Sequence, residues 1–371
     1  MNVVSEEQAL TWKKELIDYC TRRHPDIPAV PADNPMLYKA YWTPAQTEMR
    51  SHSNIIAAQV AMSMLYNCDP EDEVDLGSQA MYADRFRVRP PGFTFTLPPH
   101  LDNGGVEKWE DKEYSEAVKL ILEGKWEEYD PWNISHRAEA VVDMYGGSGS
   151  YSAFRSIQGM YTVIFNPKIP LIIGGWLSLS NNGPNKGTLT LLPDLRLATA
   201  YIILRPFFDD DNKLDIKSTY FYGAQPGKAH FLKDIWYPEL QILRTIVPVP
   251  ECPLGSYVFW HCDIVHAVEE THNGNADSSV AYIPVVPLCA YNIGNLVEQR
   301  KAFLAGIPPP DFPLSDDESS ESLHMDRGLP RDILTLEGRR MLGLEPFNAA
   351  EPGITPGVRR IRQFANEQLG F

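Results

Sequence analysis

His100-Leu101-Asp102 sits just after Pro98-Pro99, at the end of a run that alternates apolar and polar residues. In extended backbone, residues i and i+2 project to one face, so an imidazole and a carboxylate reach a common point about 2.0 to 2.2 Å from each. A second neutral imidazole would complete a facial set. Two histidines and a carboxylate fill three positions of an Fe(II) ion and leave three open for a bidentate co-substrate and dioxygen. The second histidine is sought in GSYVFWHCDIVHAVEE, residues 255–270. That stretch offers two. His261-Cys262-Asp263 is itself a His-x-Asp unit, and His266 follows it. The segment could present either imidazole to a metal. His266 is preferred as the ligand, with His261 and Asp263 as groups that orient ligands by hydrogen bonding. Taken alone, a His-x-Asp unit is a weak signal, because a solvated histidine beside an aspartate in a turn is common.

The elements that must position these groups read as a β-rich core with helical flanks. The chain has 371 residues, 43% of them hydrophobic, enough to bury a core without disulfide or metal staples. Proline is frequent (31 residues) and aromatics make up 11%, which disfavours long helices and favours short strands with fixed turns. Residues 5–20 form an amphipathic helix behind a Ser5-x-x-Gln8 capping pattern. A second helix is expected over 44–67. The alternation of Phe86, Val88, Phe93, Phe95 and Leu97 marks the first strand region. Helical text over 107–145 then reads as an insertion. Seven strand-like runs follow: YTVIF, PLIIGGWLSLS, GTLTLLP, TAYIILRPFF, ILRTIVPVP, GSYVFWH and SSVAYIPVVPL, the text of a sandwich or barrel. The expected organisation is an N-terminal helical segment (1–75), a core with its insertion (76–290), and a C-terminal helical or irregular extension (291–371). The extension includes a solvated acidic loop at 314–326.

Charge and cysteine usage narrow the partners. Lys plus Arg is 33 and Asp plus Glu is 49, a net charge of −16, so a nucleic-acid backbone or an anionic membrane surface would repel the chain. The opening residues lack the apolar core of a signal peptide, and no apolar run approaches the roughly 18 to 20 residues of a membrane span. Five cysteines, an odd number without CxxC spacing, argue against a disulfide framework and a thiolate zinc site. A reducing cytoplasmic setting fits best. Small molecules are the expected partners.

Many ordered segments of the chain resemble the YbiU-like family of predicted non-haem Fe(II)/2-oxoglutarate-dependent oxygenases: MLYKAYWTPAQTEMRSH, YADRFRVRPPG, PPHLDNGG, GKWEEYDPW, FRSIQG, GTLTLLP, ATAYIILRPFF, VFWHCDIVHAVE and SSVAYIPVVP. The resemblance covers most of the sequence. It implies an α+β fold with a mainly β core, a double-stranded β-helix (jelly-roll, cupin-like) flanked by helices. It also implies His100, Asp102 and His266 as iron ligands, with Fe(II) as the metal and 2-oxoglutarate and dioxygen as co-substrates. The implied activity is oxidation of an unactivated C–H of a small organic substrate. Hydroxylation is the default outcome, and ring closure such as aziridine formation on an amino acid is a variant. The alternatives are a catalytically inactive jelly-roll binding protein and a cupin-like metal enzyme that does not use 2-oxoglutarate.

Three departures from the family pattern stand out. Many relatives place an Arg ten to fifteen residues after the distal His to hold the far carboxylate of the co-substrate, whereas this chain has Ser278 and Ser279 there. Arg155 is the expected substitute, because a guanidinium on a core strand grips a carboxylate bidentately. Ser279 or Thr188 would assist, and Arg205 is the second choice. Next, residues 160–174 interrupt a passage that reads QGWLSLS when they are removed, so this apolar segment is expected to be foreign to the functional protein. Finally, relatives carry a further N-terminal segment, and this chain is expected to be a truncated or short member.

Overall fold

The structure is a computed structural model that describes residues 2–101, 105–134, 175–226, 229–312 and 320–371 in full, and the backbone of 161–164 and 170–173. Its strands in chain order are Ala29–Val30 (β1), Leu37–Tyr38 (β2), Asp75–Gln79 (β3), Phe86–Arg89 (β4), Leu97–Leu101 (β5), Tyr161–Ile164 (β6), Pro170–Ile173 (β7), Trp176–Ser178 (β8), Leu189–Leu191 (β9), His230–Phe231 (β10), Val247–Pro248 (β11), Tyr257–Val258 (β12), His266–Val268 (β13), Ser278–Tyr282 (β14) and Pro287–Leu288 (β15). They build a mixed α/β protein with several antiparallel sheets. The larger sheet has the order β1-β2-β4-β14-β8-β12, the second β10-β5-β13-β9-β11.

Burial follows from strand alternation. On the larger sheet Trp176, Val280 and Tyr282 point one way and join Leu97 and Leu189 of the second sheet in one buried cluster. Phe86, Leu177 and Ala281 point the other way and pack under the first helix, Glu6–Asp18 (α1), through its Ala9, Trp12 and Leu16. The far face of the second sheet is covered in the same manner. Leu101, Leu192 and Val265 meet Ala198 and Ile202 of a helix and Tyr237 of a neighbouring loop. Two sheets thus face each other between helical covers, the arrangement that hides the apolar side of each.

Local chemistry explains the ends of the elements. Ser5 caps α1 by accepting from the backbone N–H of Gln8. Thr43 and Gln46 form a capping box on Pro44–Ser51 (α2). The single helix expected over 44–67 is two. His52 is extended (ψ 127°), ends α2 and caps Ser53–Ser63 (α3).

The insertion from 107 consists of short helices, Glu107–Glu110 (α4), Lys112–Ala117 (α5) and Lys119–Leu122 (α6), and residues 135–145 lie outside the described part. TAYIILRPFF, expected as a strand, is instead the helix Leu195–Leu204 (α7), opened by the Asp194 carboxylate accepting from Leu197 N–H. A short apolar run carries no helix or strand period of its own, and the cap decides. Likewise ILRTIVPVP is the turn of helix Ile242–Thr245 (α8) followed by β11.

The C-terminal helices Ala290–Ala305 (α9), Leu336–Met341 (α10) and Pro356–Leu369 (α11) return onto the N-terminal part. Arg362 of α11 pairs with buried Asp75 of β3 at 2.6 Å. The acidic stretch expected to be solvated is partly internal. Residues 313–319 lie outside the described part, but Glu321 is buried and accepts from the backbone N–H groups of Tyr41 and Trp42. Segment 160–174 contains the hairpin β6–β7, which pairs with itself and with neither large sheet. Among the described residues, no helix is long and apolar enough to cross a membrane.

Candidate metal centre

The two histidines are brought together by the pairing of β5 with β13, where His100 stands directly opposite His266. Local sequence explains how. Leu97 pairs with Val268 and His100 with His266, so three steps along β5 match two along β13, and the extra residue is a bulge. Pro98 and Pro99 lie in this bulge, where the lost N–H donors are tolerated in an interior strand. The bulge resets the alternation, and Leu97 and His100 both face the partner sheet.

Both rings are fully buried, with centroids 4.3 Å apart and planes at 52°. Each Nδ1 hydrogen-bonds a main-chain carbonyl two residues back, Pro98 O at 2.7 Å for His100 and Ile264 O at 2.9 Å for His266. A carbonyl only accepts, so Nδ1 carries the proton in each ring and Nε2 keeps the basic lone pair. This is the tautomer and support that a metal-ligating imidazole needs. Two such imidazoles suit a divalent transition metal. Asp102, expected as the carboxylate, lies outside the described residues.

His261 is committed differently. Its Nε2–H donates to Pro131 O at 2.9 Å, and its Nδ1 accepts from Asp263 N–H at 3.0 Å. Its ring stacks on Tyr66 and meets Trp132 edge-on. Asp263 receives Tyr129 Oη–H at 3.4 Å. Nε2 thus braces the inserted segment and Nδ1 the turn of its own loop. Its grouping with Cys262 and Asp263 has metal-ligand composition, yet these bonds describe a structural joint.

A small cavity of about 20 Å³ opens between the sheets beside His266. Its walls are Leu97, Leu189 and Val268 from the second sheet and Trp176, Tyr282, Arg87 and Trp260 from the first sheet and the loop after β12. The Trp260 ring lies 5.5 Å from that of His266, and Phe231 lies 5.8 Å from His100 on its other side. Arg87 and Trp260 were not singled out in the sequence. The available signal is Arg85-Phe86-Arg87-Val88-Arg89, whose alternation sends three guanidinium groups to one face of β4.

The expected anchor residues are dispersed. Arg155 lies outside the described residues. Arg205 does not line the cavity: it bonds Trp236 O and Phe208 O, pairs with Asp210 at 3.0 Å and lies over the Tyr222 ring. Ser279 pairs with Val88, so it faces away from Arg87 and Tyr282, and it donates to Asp277. Thr188 is buried next to the cavity-lining Leu189 and is not itself among the lining residues.

The Gig2-like family model matches residues 1–167 and 172–344. The chain belongs to the Gig2-like family. It is similar to the uncharacterized protein YbiU of Escherichia coli (strain K12), with 29% identity over 352 residues, 91% of this chain and 77% of that protein. Among solved structures it is similar to the GlcNAc-inducible gene 2 protein of Candida albicans (35% identity, TM-score 0.84, covering 100% of this chain and 78% of that one). It is also similar to an oxidoreductase candidate from Salmonella typhimurium LT2 (30% identity, TM-score 0.73, covering 92% and 78%).

Proposed function

We propose that this protein is an Fe(II)- and 2-oxoglutarate-dependent oxygenase acting on a small organic molecule, with His100, Asp102 and His266 as the metal ligands. The observation that carries the reading is the pair of buried imidazoles on facing strands, each fixed by its own main-chain carbonyl in the tautomer that leaves Nε2 for a metal. The strand orders support a double-stranded β-helix, since strands from distant parts of the chain interleave in both sheets. Similarity to an oxidoreductase candidate points the same way.

Iron(II) held there would supply the chemistry in which 2-oxoglutarate, dioxygen and R–H become succinate, CO₂ and R–OH. The chain's own contribution is positional. The main-chain carbonyls of Pro98 and Ile264 hold the imidazoles, and Leu97, Leu189, Val268, Trp176 and Trp260 line a small, mostly apolar cavity beside His266.

The test is an anaerobic titration of the metal-free chain with Fe(II) and then 2-oxoglutarate. The expected result is the weak visible charge-transfer band of the chelate, with His266-dependent conversion of 2-oxoglutarate to succinate once oxygen is admitted. Metal binding with neither band nor succinate would overturn the proposal and favour a cupin-like metal enzyme that works without the co-substrate.

A further inference from the structure

We infer that Arg87 is the anion anchor of the inter-sheet cavity, its guanidinium receiving a carboxylate of a small organic acid whose other end lies toward His266.

The three arginines of β4 and its approach share one face but not one environment. Arg85 pairs with Asp84 at 3.2 Å and lies 4.2 Å from the centre of the Phe312 ring. Arg89 is spent on main-chain carbonyls, donating to Phe93 O, Gly187 O, Glu269 O and Glu270 O. Arg87 sits between them, is only 8% exposed and lines the cavity with His266. Among the described residues its one hydrogen bond is a long one to Ser278 Oγ, 3.4 Å, and its Nε has no acceptor. Among the described residues, no carboxylate lies within ion-pair distance of it.

A buried guanidinium without a counter-charge is costly, and such groups are found where an anion completes them. A second observation points the same way. Trp260 lines the same cavity, and its buried Nε1–H also has no acceptor among the described residues. Two unsatisfied donors in one apolar chamber call for a ligand rich in acceptor oxygens. The guanidinium fork matches a carboxylate, and the apolar walls around it match a short carbon chain.

The inference rests on the proposed function only in naming 2-oxoglutarate as the first acid to try. The carboxylate could equally belong to an acidic substrate, and the experiment separates the two sources. The full chain loaded with Mn(II), so that no turnover occurs, is titrated with 2-oxoglutarate, with 2-oxobutyrate, which lacks the far carboxylate, and with glutarate, which lacks the keto group. Binding is read by calorimetry.

If Arg87 holds the far carboxylate of the co-substrate, Arg87→Gln weakens 2-oxoglutarate by at least about thirtyfold, as expected for truncating one partner of a buried charge pair, and leaves 2-oxobutyrate unchanged. Arg87→Lys, which keeps the charge and loses the fork, falls between the two. If the wild type binds glutarate in an Arg87-dependent way but not 2-oxoglutarate, the anchor stands and the oxygenase reading falls. Equal affinity for 2-oxoglutarate in wild type and Arg87→Gln overturns the inference. So does failure of the wild type to bind any of the acids, or a loss confined to Arg155→Gln. Circular dichroism and melting of each variant confirm that a loss of binding is not a loss of fold.

Discussion

His100 and His266 face each other across two antiparallel strands, their ring centres 4.3 Å apart, and each is held by the main-chain carbonyl two residues before it. His261, only five residues before His266, has both nitrogens bonded to other parts of the main chain. The two histidines of HCDIVH therefore predict opposite phenotypes. His266→Ala should lower divalent metal affinity by roughly 100-fold or more, beyond what loss of a supporting partner costs, with little change in melting temperature. His261→Ala should leave metal affinity within a few-fold and lower stability, because the Pro131 bond and the Tyr66 and Trp132 contacts are lost. Cobalt(II) titration followed by visible absorption, paired with thermal melts, checks both.

Arg89 and Arg87 make a second contrast. Arg89→Met removes the donors to four main-chain carbonyls and should destabilise by about 3 kcal/mol or more. Gly187, at φ +67°, lies against that guanidinium, so a side chain introduced there would disturb the same bonds. Arg87→Met removes a buried charge that the protein itself does not neutralise, and urea unfolding should show equal or higher stability.

Burial lifts the Glu321 carboxyl to about 7, more than the Tyr41 and Trp42 donors and nearby Arg50 lower it. A carboxyl whose pKa is higher folded than unfolded stabilises fully below the unfolded value, and that contribution is lost as pH rises toward the folded one. The wild type should therefore lose about 3 kcal/mol from this group between pH 4.5 and 8. Glu321→Gln keeps an acceptor for both backbone N–H groups and should remove that part of the slope. Urea unfolding at pH 5 and pH 8 reads the difference.

Among the described strands, β6 and β7 pair with each other and with no other. Deleting 160–174 should leave a soluble protein with 2-oxoglutarate turnover at least as high as that of the full chain. An insoluble or inactive deletion variant beside an active full chain would mean that the segment belongs to the core.

Local features were legible in the residues alone. Ser5 and the stripe of Ala9, Trp12 and Leu16 specify α1, because a cap and a 3.6-residue period act within a few residues. The alternation of β4 and of β14 announces strands for the same reason. The YIIL run of α7 was not legible as a helix, since its β-branched residues suit either state and the surrounding core plus the Asp194 cap selected one. Residue types also marked out His100, His261 and His266 and favoured His266 over His261, without the geometry that separates them. That difference depends on which carbonyl each nitrogen meets, Pro131 O being 130 residues away from His261 in the chain. The same holds for Arg85, Arg87 and Arg89, identical in type and spacing. Arg85 has its aspartate next to it in the chain, but only tertiary packing gives Arg89 its main-chain carbonyls and leaves Arg87 at an apolar cavity, because the energy of a buried charge is set by its nearest partners in space.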